Sequence, residues 1–115
     1  MDTLILKENS FICSYKGGLT TFLYEEVLSI ESDKPFVKFK LKNHIVLSKT
    51  SLSTVEEKLP ACFIRINRQV VVNMKHVNKI VLENGTYRIQ LNGDIEYKIS
   101  ERKIKAVKTA YIEFN

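Results

Sequence analysis

Tryptophan is absent from this sequence, and cysteine, histidine, methionine and proline each occur only twice. Cys13 and Cys62 lie far apart and make no CxxC or Cys/His spacing, so they are expected to be two reduced, partly buried thiols. His44 and His76 are equally isolated, which leaves no set of residues with zinc-ligand spacing. The four glycines, Gly17, Gly18, Gly85 and Gly93, sit in turn-like settings and form no phosphate-cradling loop. No apolar run approaches the roughly 18 to 20 residues that a membrane span needs. The N-terminal stretch "MDTLILKENS" has neither the basic segment nor the apolar core of a signal peptide. Paired carboxylates, a nucleophile with its base and a cofactor signature are all missing. These absences exclude an enzyme, a metal site and a bound cofactor or small-molecule substrate from the expectations, and favour the cytoplasm without membrane contact.

What remains is ordinary globular material with an uneven charge. The chain has 115 residues, of which 44% are hydrophobic, and a mean hydropathy of −0.12. That is enough for one domain, residues 1–115, with a single core. The net charge is +5. Residues 1–57 hold 7 basic against 8 acidic side chains, while residues 58–115 hold 11 against 5. The whole surplus therefore lies in the second half, which points to a localised anion-binding face.

Period-2 alternation dominates the pattern. In "FVKFKLK", Val37, Phe39 and Leu41 face one way and Lys38, Lys40 and Lys42 the other, as in a half-buried strand. The lysine row is the kind that guards an edge strand against aggregation. "TYRIQL" and "DIEYKI" repeat the rhythm, and Asn84-Gly85 and Asn92-Gly93 supply hairpin turns, so residues 77–99 read as a three-stranded meander. Further strands are expected at 11–15, 19–24, 27–32 and 44–48, with Gly17-Gly18 turning the first pair. Helix is confined to two places. Thr50 or Ser51 caps a short one over 50–59, stopped by Pro60, and Ser100 caps another over 100–112 with Ile104, Val107 and Tyr111 as its apolar stripe.

Residues 61–80, "ACFIRINRQVVVNMKHVNKI", start as a strand, break at Asn67-Arg68-Gln69 and resume as Val70-Val71-Val72. A polar triplet between two apolar runs must be exposed, because a buried guanidinium without partners is prohibitively costly. Held between strands, its side chains are placed to probe a partner. Phe63, Arg65, this triplet, the valines, Asn73, Val77 and Ile80 together resemble the LytTR family of bacterial response-regulator output domains. Upstream "VLSIES" with Glu31 ahead of a loop, and downstream "YKISERKIKAVK" with Ser100 and Arg102, agree with it in order and spacing. The resemblance covers about residues 20–112.

The resemblance implies a mostly β, elongated sandwich-like fold with a short mid-chain helix and a C-terminal helix. It also implies a transcriptional regulator that binds double-stranded DNA sequence-specifically through loops. Three contact regions follow by position: Asp33 and Lys34 in the loop after Glu31, Asn67-Arg68-Gln69, and Arg102 with Lys103 at the start of the last helix. Arg68 suits guanine O6 and N7, and Asn67 or Gln69 suits adenine N6 and N7. Lys34 suits a phosphate, as do the helix amides after Ser100. Family members usually carry His and Ser around the basic residue of the triplet, so Asn67 and Gln69 leave the base preference open. Neither a phosphoreceiver domain nor a membrane segment is present, so the domain is expected to be free-standing or excised, with a second copy on an adjacent DNA repeat as a possible partner. Arg65 either braces the fold, for instance with Glu31, or touches a phosphate. The competing function is a protein-interaction module whose basic half docks an acidic partner.

Overall fold

A computed structural model describes residues 2–115. Among these residues, eleven strands form three antiparallel sheets. The first sheet holds β1 (Leu4–Leu6), β2 (Ser10–Tyr15) and β3 (Gly18–Leu23) in that order. The central sheet contains β4 (Val27–Asp33), β5 (Phe36–Leu41), β6 (Ile45–Ser48), β7 (Phe63–Asn67) and β8 (Val70–Asn73), ordered β6-β5-β4-β8-β7. The third is the expected meander of β9 (Val77–Glu83), β10 (Thr86–Leu91) and β11 (Ile95–Lys98). The helices are α1 (Leu52–Glu56) and α2 (Ile104–Phe114).

Alternation within the central strands explains why there are three layers and not the two of a simple sandwich. Ile30, Val37, Phe39, Phe63 and Val71 face the first sheet and α1, and build one core with Phe11, Phe22 and Val55. Leu28, Ile66, Val70 and Val72 face the other way and build a second core with Ile89, Leu91, Ile99, Val107 and Ala110. A sheet that is apolar on both faces has to be covered on both. The result is elongated, 44 × 26 × 25 Å.

Several sequence expectations shift in detail. β1 was not foreseen; three residues are too few for alternation to register. The first turn carries positive φ at Lys16 and Gly17, and Gly18 already belongs to β3. Asn84-Gly85 behaves as expected, with φ of 52° and 78°, whereas the second meander turn places positive φ on Gly93 and Asp94. α1 is shorter than 50–59; Ser51 caps it by accepting from the Thr54 N–H, and single turns carry the chain on to Leu59. At 100–112 the chain first makes a 3-10 turn, Glu101–Lys103, and only then α2. The Ser100 side chain does not cap it; its backbone carbonyl accepts from the Lys103 N–H instead. β5 is not an edge strand, since β6 lies outside it. Its lysines therefore guard no edge: Lys40 pairs with Glu31 at 2.7 Å and Lys38 approaches Asp33 at 3.8 Å.

Candidate nucleic-acid interface

Asn67 ends β7, and Arg68 and Gln69 form the exposed turn into β8. Three hydrogen bonds tie this turn to the other two regions that the sequence singles out. The Ser32 N–H donates to the Gln69 carbonyl at 2.8 Å, which docks the turn against the end of β4. The Asn67 side-chain amide donates to the Lys98 carbonyl at 2.8 Å, and the Ser100 N–H donates to the Ile66 carbonyl at 3.0 Å. The β4–β5 hairpin, the triplet and the junction between β11 and the last helix are thus gathered side by side.

Within this cluster the side chains divide into two kinds. Arg68, Gln69, Lys34 and Arg102 are exposed, and Lys103 is half-buried. None of their cations lies within ion-pair distance of a carboxylate among the described residues. Asn67, one of the expected base readers, has a side chain engaged within the protein. Its amide nitrogen is held by Lys98, and its oxygen accepts from the Gln69 N–H at 2.8 Å, so both ends are engaged in shaping the turn. Asp33 sits beside the two-residue Lys34-Pro35 turn, which carries a cis peptide bond, and its carboxylate faces Lys38. Lys98 was missed by the sequence reading. It is exposed on the last strand, beside the triplet, where the bond from Asn67 places it.

Behind the turn lies a polar network. The Tyr97 hydroxyl donates to Glu31 at 2.5 Å and accepts from Ser29 at 2.7 Å. Burial favours the neutral form of Glu31, but hydrogen bonds from Lys40 and Tyr97 and the charges of Lys40 and Lys38 outweigh it and hold the carboxyl below its ordinary value. Burial, and then the Glu31 carboxylate, push the Tyr97 phenol well above its ordinary range, so it stays a donor. Arg65 does not pair with Glu31. Its Nη1 lies 2.7 Å from Glu56 of α1, and its Nε and Nη2 donate to the Asn67 and Arg68 carbonyls of the triplet. Asn73 is also structural. It is 1% exposed, and its amide donates to the Val27 carbonyl at 3.1 Å while its oxygen accepts from the Lys75 N–H.

The family model of the LytTr DNA-binding domain matches residues 18–112. The chain belongs to that family. The family is one of DNA-binding domains, not of enzymes. β1 and all of β2 precede the matched LytTr segment, yet Phe11 and Cys13 are fully buried in the first core. The solved LytTr DNA-binding domain of a response regulator from Bacillus cereus shares the fold, with a TM-score of 0.80 at 18% identity over 90% of this chain and 97% of that one. Among curated relatives, uncharacterized HTH-type transcriptional regulators of Staphylococcus aureus strains NCTC 8325 / PS 47 and COL are each 38% identical over 73 residues. The match covers 62% of this chain and 44% of each relative, so the chain spans less than half the length of these proteins. α1 and α2 are separated by five strands, so the described residues contain no helix-turn-helix unit.

The two cysteines are free and buried, and burial raises both thiols above their ordinary pKa, which keeps them protonated and unreactive. Among the described residues, no group of His, Cys, Asp or Glu is arranged to hold a metal ion. No helix among them is long and apolar enough to cross a membrane.

Proposed function

We propose that this LytTR domain reads a specific duplex sequence with the Arg68-Gln69 turn, as the DNA-contacting part of a cytoplasmic bacterial transcription regulator. The observation that carries this reading is the set of hydrogen bonds joining the three regions, which supports their acting on one ligand together. Arg68 is exposed and unpaired, and its fork suits O6 and N7 of guanine in the major groove. Gln69, with a free side-chain amide, takes the adenine-reading role expected of either triplet amide, and Asn67 holds the turn in shape. Lys34 on one side, and Lys98, Arg102 and Lys103 on the other, would neutralise phosphates and set the register. The Ser100 side chain does not cap the 3-10 turn that leads into α2, which leaves the first amides after Ser100 to favour an anion there. Asp33 takes part by pairing with Lys38, leaving Lys34 as the hairpin-tip cation. A second copy would occupy an adjacent repeat.

Selection from random duplex DNA, followed by titration of the winning sequence against a scrambled one at two salt concentrations, tests the proposal. A preferred sequence whose affinity falls steeply with salt is expected, since phosphate contacts release counterions. Binding only to an acidic protein partner, with no duplex preference, would favour the interaction module instead.

A further inference from the structure

We propose that Arg65, anchored by Glu56, is a positioning residue that determines base specificity by fixing the direction in which the Arg68 side chain leaves the turn; this rests on the DNA-reading role of Arg68. The geometry is specific. Arg65 Nε donates to the Asn67 carbonyl at 2.9 Å, and Nη2 donates to the Arg68 carbonyl. The Asn67 carbonyl belongs to the peptide before the Arg68 Cα, and the Arg68 carbonyl belongs to the peptide after it. One rigid guanidinium therefore holds both peptide planes that flank Arg68. Because a residue has only two soft backbone dihedrals, holding both planes fixes the Cα–Cβ direction.

The neighbouring bonds complete the clamp. The second of those peptides is also held from its other side, because the Gln69 N–H donates to the Asn67 side-chain oxygen. The next carbonyl, that of Gln69, is held by Ser32. Arg65 is itself fixed: its Nη1 donates to the Glu56 carboxylate at 2.7 Å, and its side chain is only 19% exposed. Ser51 caps the short α1 that carries Glu56, and Leu52 and Val55 are buried in the first core. The reading turn is thereby referenced to a packed helix and not only to its own hairpin. A pre-set side chain loses less conformational freedom on binding than a mobile one, and it meets one base edge in one geometry.

Lysine in place of Arg65 separates this role from a phosphate contact. An ammonium keeps the charge but cannot serve Glu56 and two carbonyls with a planar fork. Two measurements on the full chain are required: backbone order parameters of the Arg68 and Gln69 amides without DNA, and affinities for selected and scrambled duplexes. In Arg65→Lys the order parameters should fall from about 0.85 to below about 0.6. The selected-to-scrambled ratio should fall about tenfold, the value of one good base contact, with binding to scrambled duplex nearly unchanged. In an Arg68→Ala background the same substitution should cost clearly less than it does in the parent. Glu56→Gln keeps the guanidinium and should loosen the turn partway, which provides a second variant if Arg65→Lys folds poorly. A turn that stays rigid in both variants overturns the proposal, as does a specificity loss that simply adds to that of Arg68→Ala. A turn that loosens in a protein that discriminates between no duplexes overturns the DNA reading instead and leaves the clamp standing.

Discussion

The side-chain amide of Asn67 donates to the backbone carbonyl of Lys98 across 31 residues of sequence, at 2.8 Å. That bond joins the end of β7 to the end of β11, strands of two different sheets. It makes neighbours of the triplet turn and of the segment that leads into the last helix. A change at Asn67 should therefore act on the shape of the turn, whereas under the proposed function a change at Arg68 should act on the contact itself.

Arg68→Ala should weaken binding to the selected duplex by about 1–3 kcal/mol and relax the preference at one base position. The side chain is exposed and unpaired, so the melting temperature should stay near that of the parent. Arg102→Ala should also leave the fold intact. Titration of both variants with selected and single-base-changed duplexes, beside melting curves, checks this.

Asn67→Ala should behave differently. It removes two hydrogen bonds that shape the turn, each worth about 1 kcal/mol. Stability should fall along with specificity, and chemical denaturation read beside the DNA titration should show both losses in the one variant.

Lys34→Ala and Lys98→Ala should each weaken binding to every duplex alike. Each should lower the slope of log K against log salt by about 0.9, the share of one neutralised phosphate. A change in base preference with an unchanged slope would place these lysines away from the backbone.

Glu31 gives a pH dependence of stability. Its folded pKa lies below 4.5, the value of a free glutamate, because Lys40 and Tyr97 favour the carboxylate. A depressed carboxyl contributes stability that is complete above the unfolded value and is lost as pH falls through the folded one. Glu31→Gln should therefore be less stable than the parent at neutral pH, and the gap should close as pH drops well below 4.5. Denaturant melts of both proteins across that range provide the test.

Much of this was legible in the sequence for definite physical reasons. Alternation in 36–41 and 86–98, and the Asn84-Gly85 turn with its positive φ, are local signals, and the corresponding strands lie where they point. The exposed Arg68 follows from the cost of burying a guanidinium between apolar strands. What could not be read was which strands become neighbours beyond these hairpins. β5 looks like an edge because its outward face is all lysine, yet β6 covers its flank, and Lys38 and Lys40 answer Asp33 and Glu31. The bond from the Asn67 amide to the Lys98 carbonyl was not legible either, because Lys98 is brought alongside only by folding. The partner of Arg65 is Glu56 on a helix packed across the sheet, and not the Glu31 that charge alone suggested.

The central claim is that an ordered, unpaired Arg68 reads a base while the cations around it hold the backbone. Its most direct test is the affinity of the parent and of Arg68→Ala for selected and scrambled duplexes, each measured over a series of salt concentrations. The account predicts that the parent prefers the selected duplex, and that Arg68→Ala loses about 1–3 kcal/mol of that preference with its fold intact. A folded Arg68→Ala that binds the selected duplex as tightly and as selectively as the parent would contradict it.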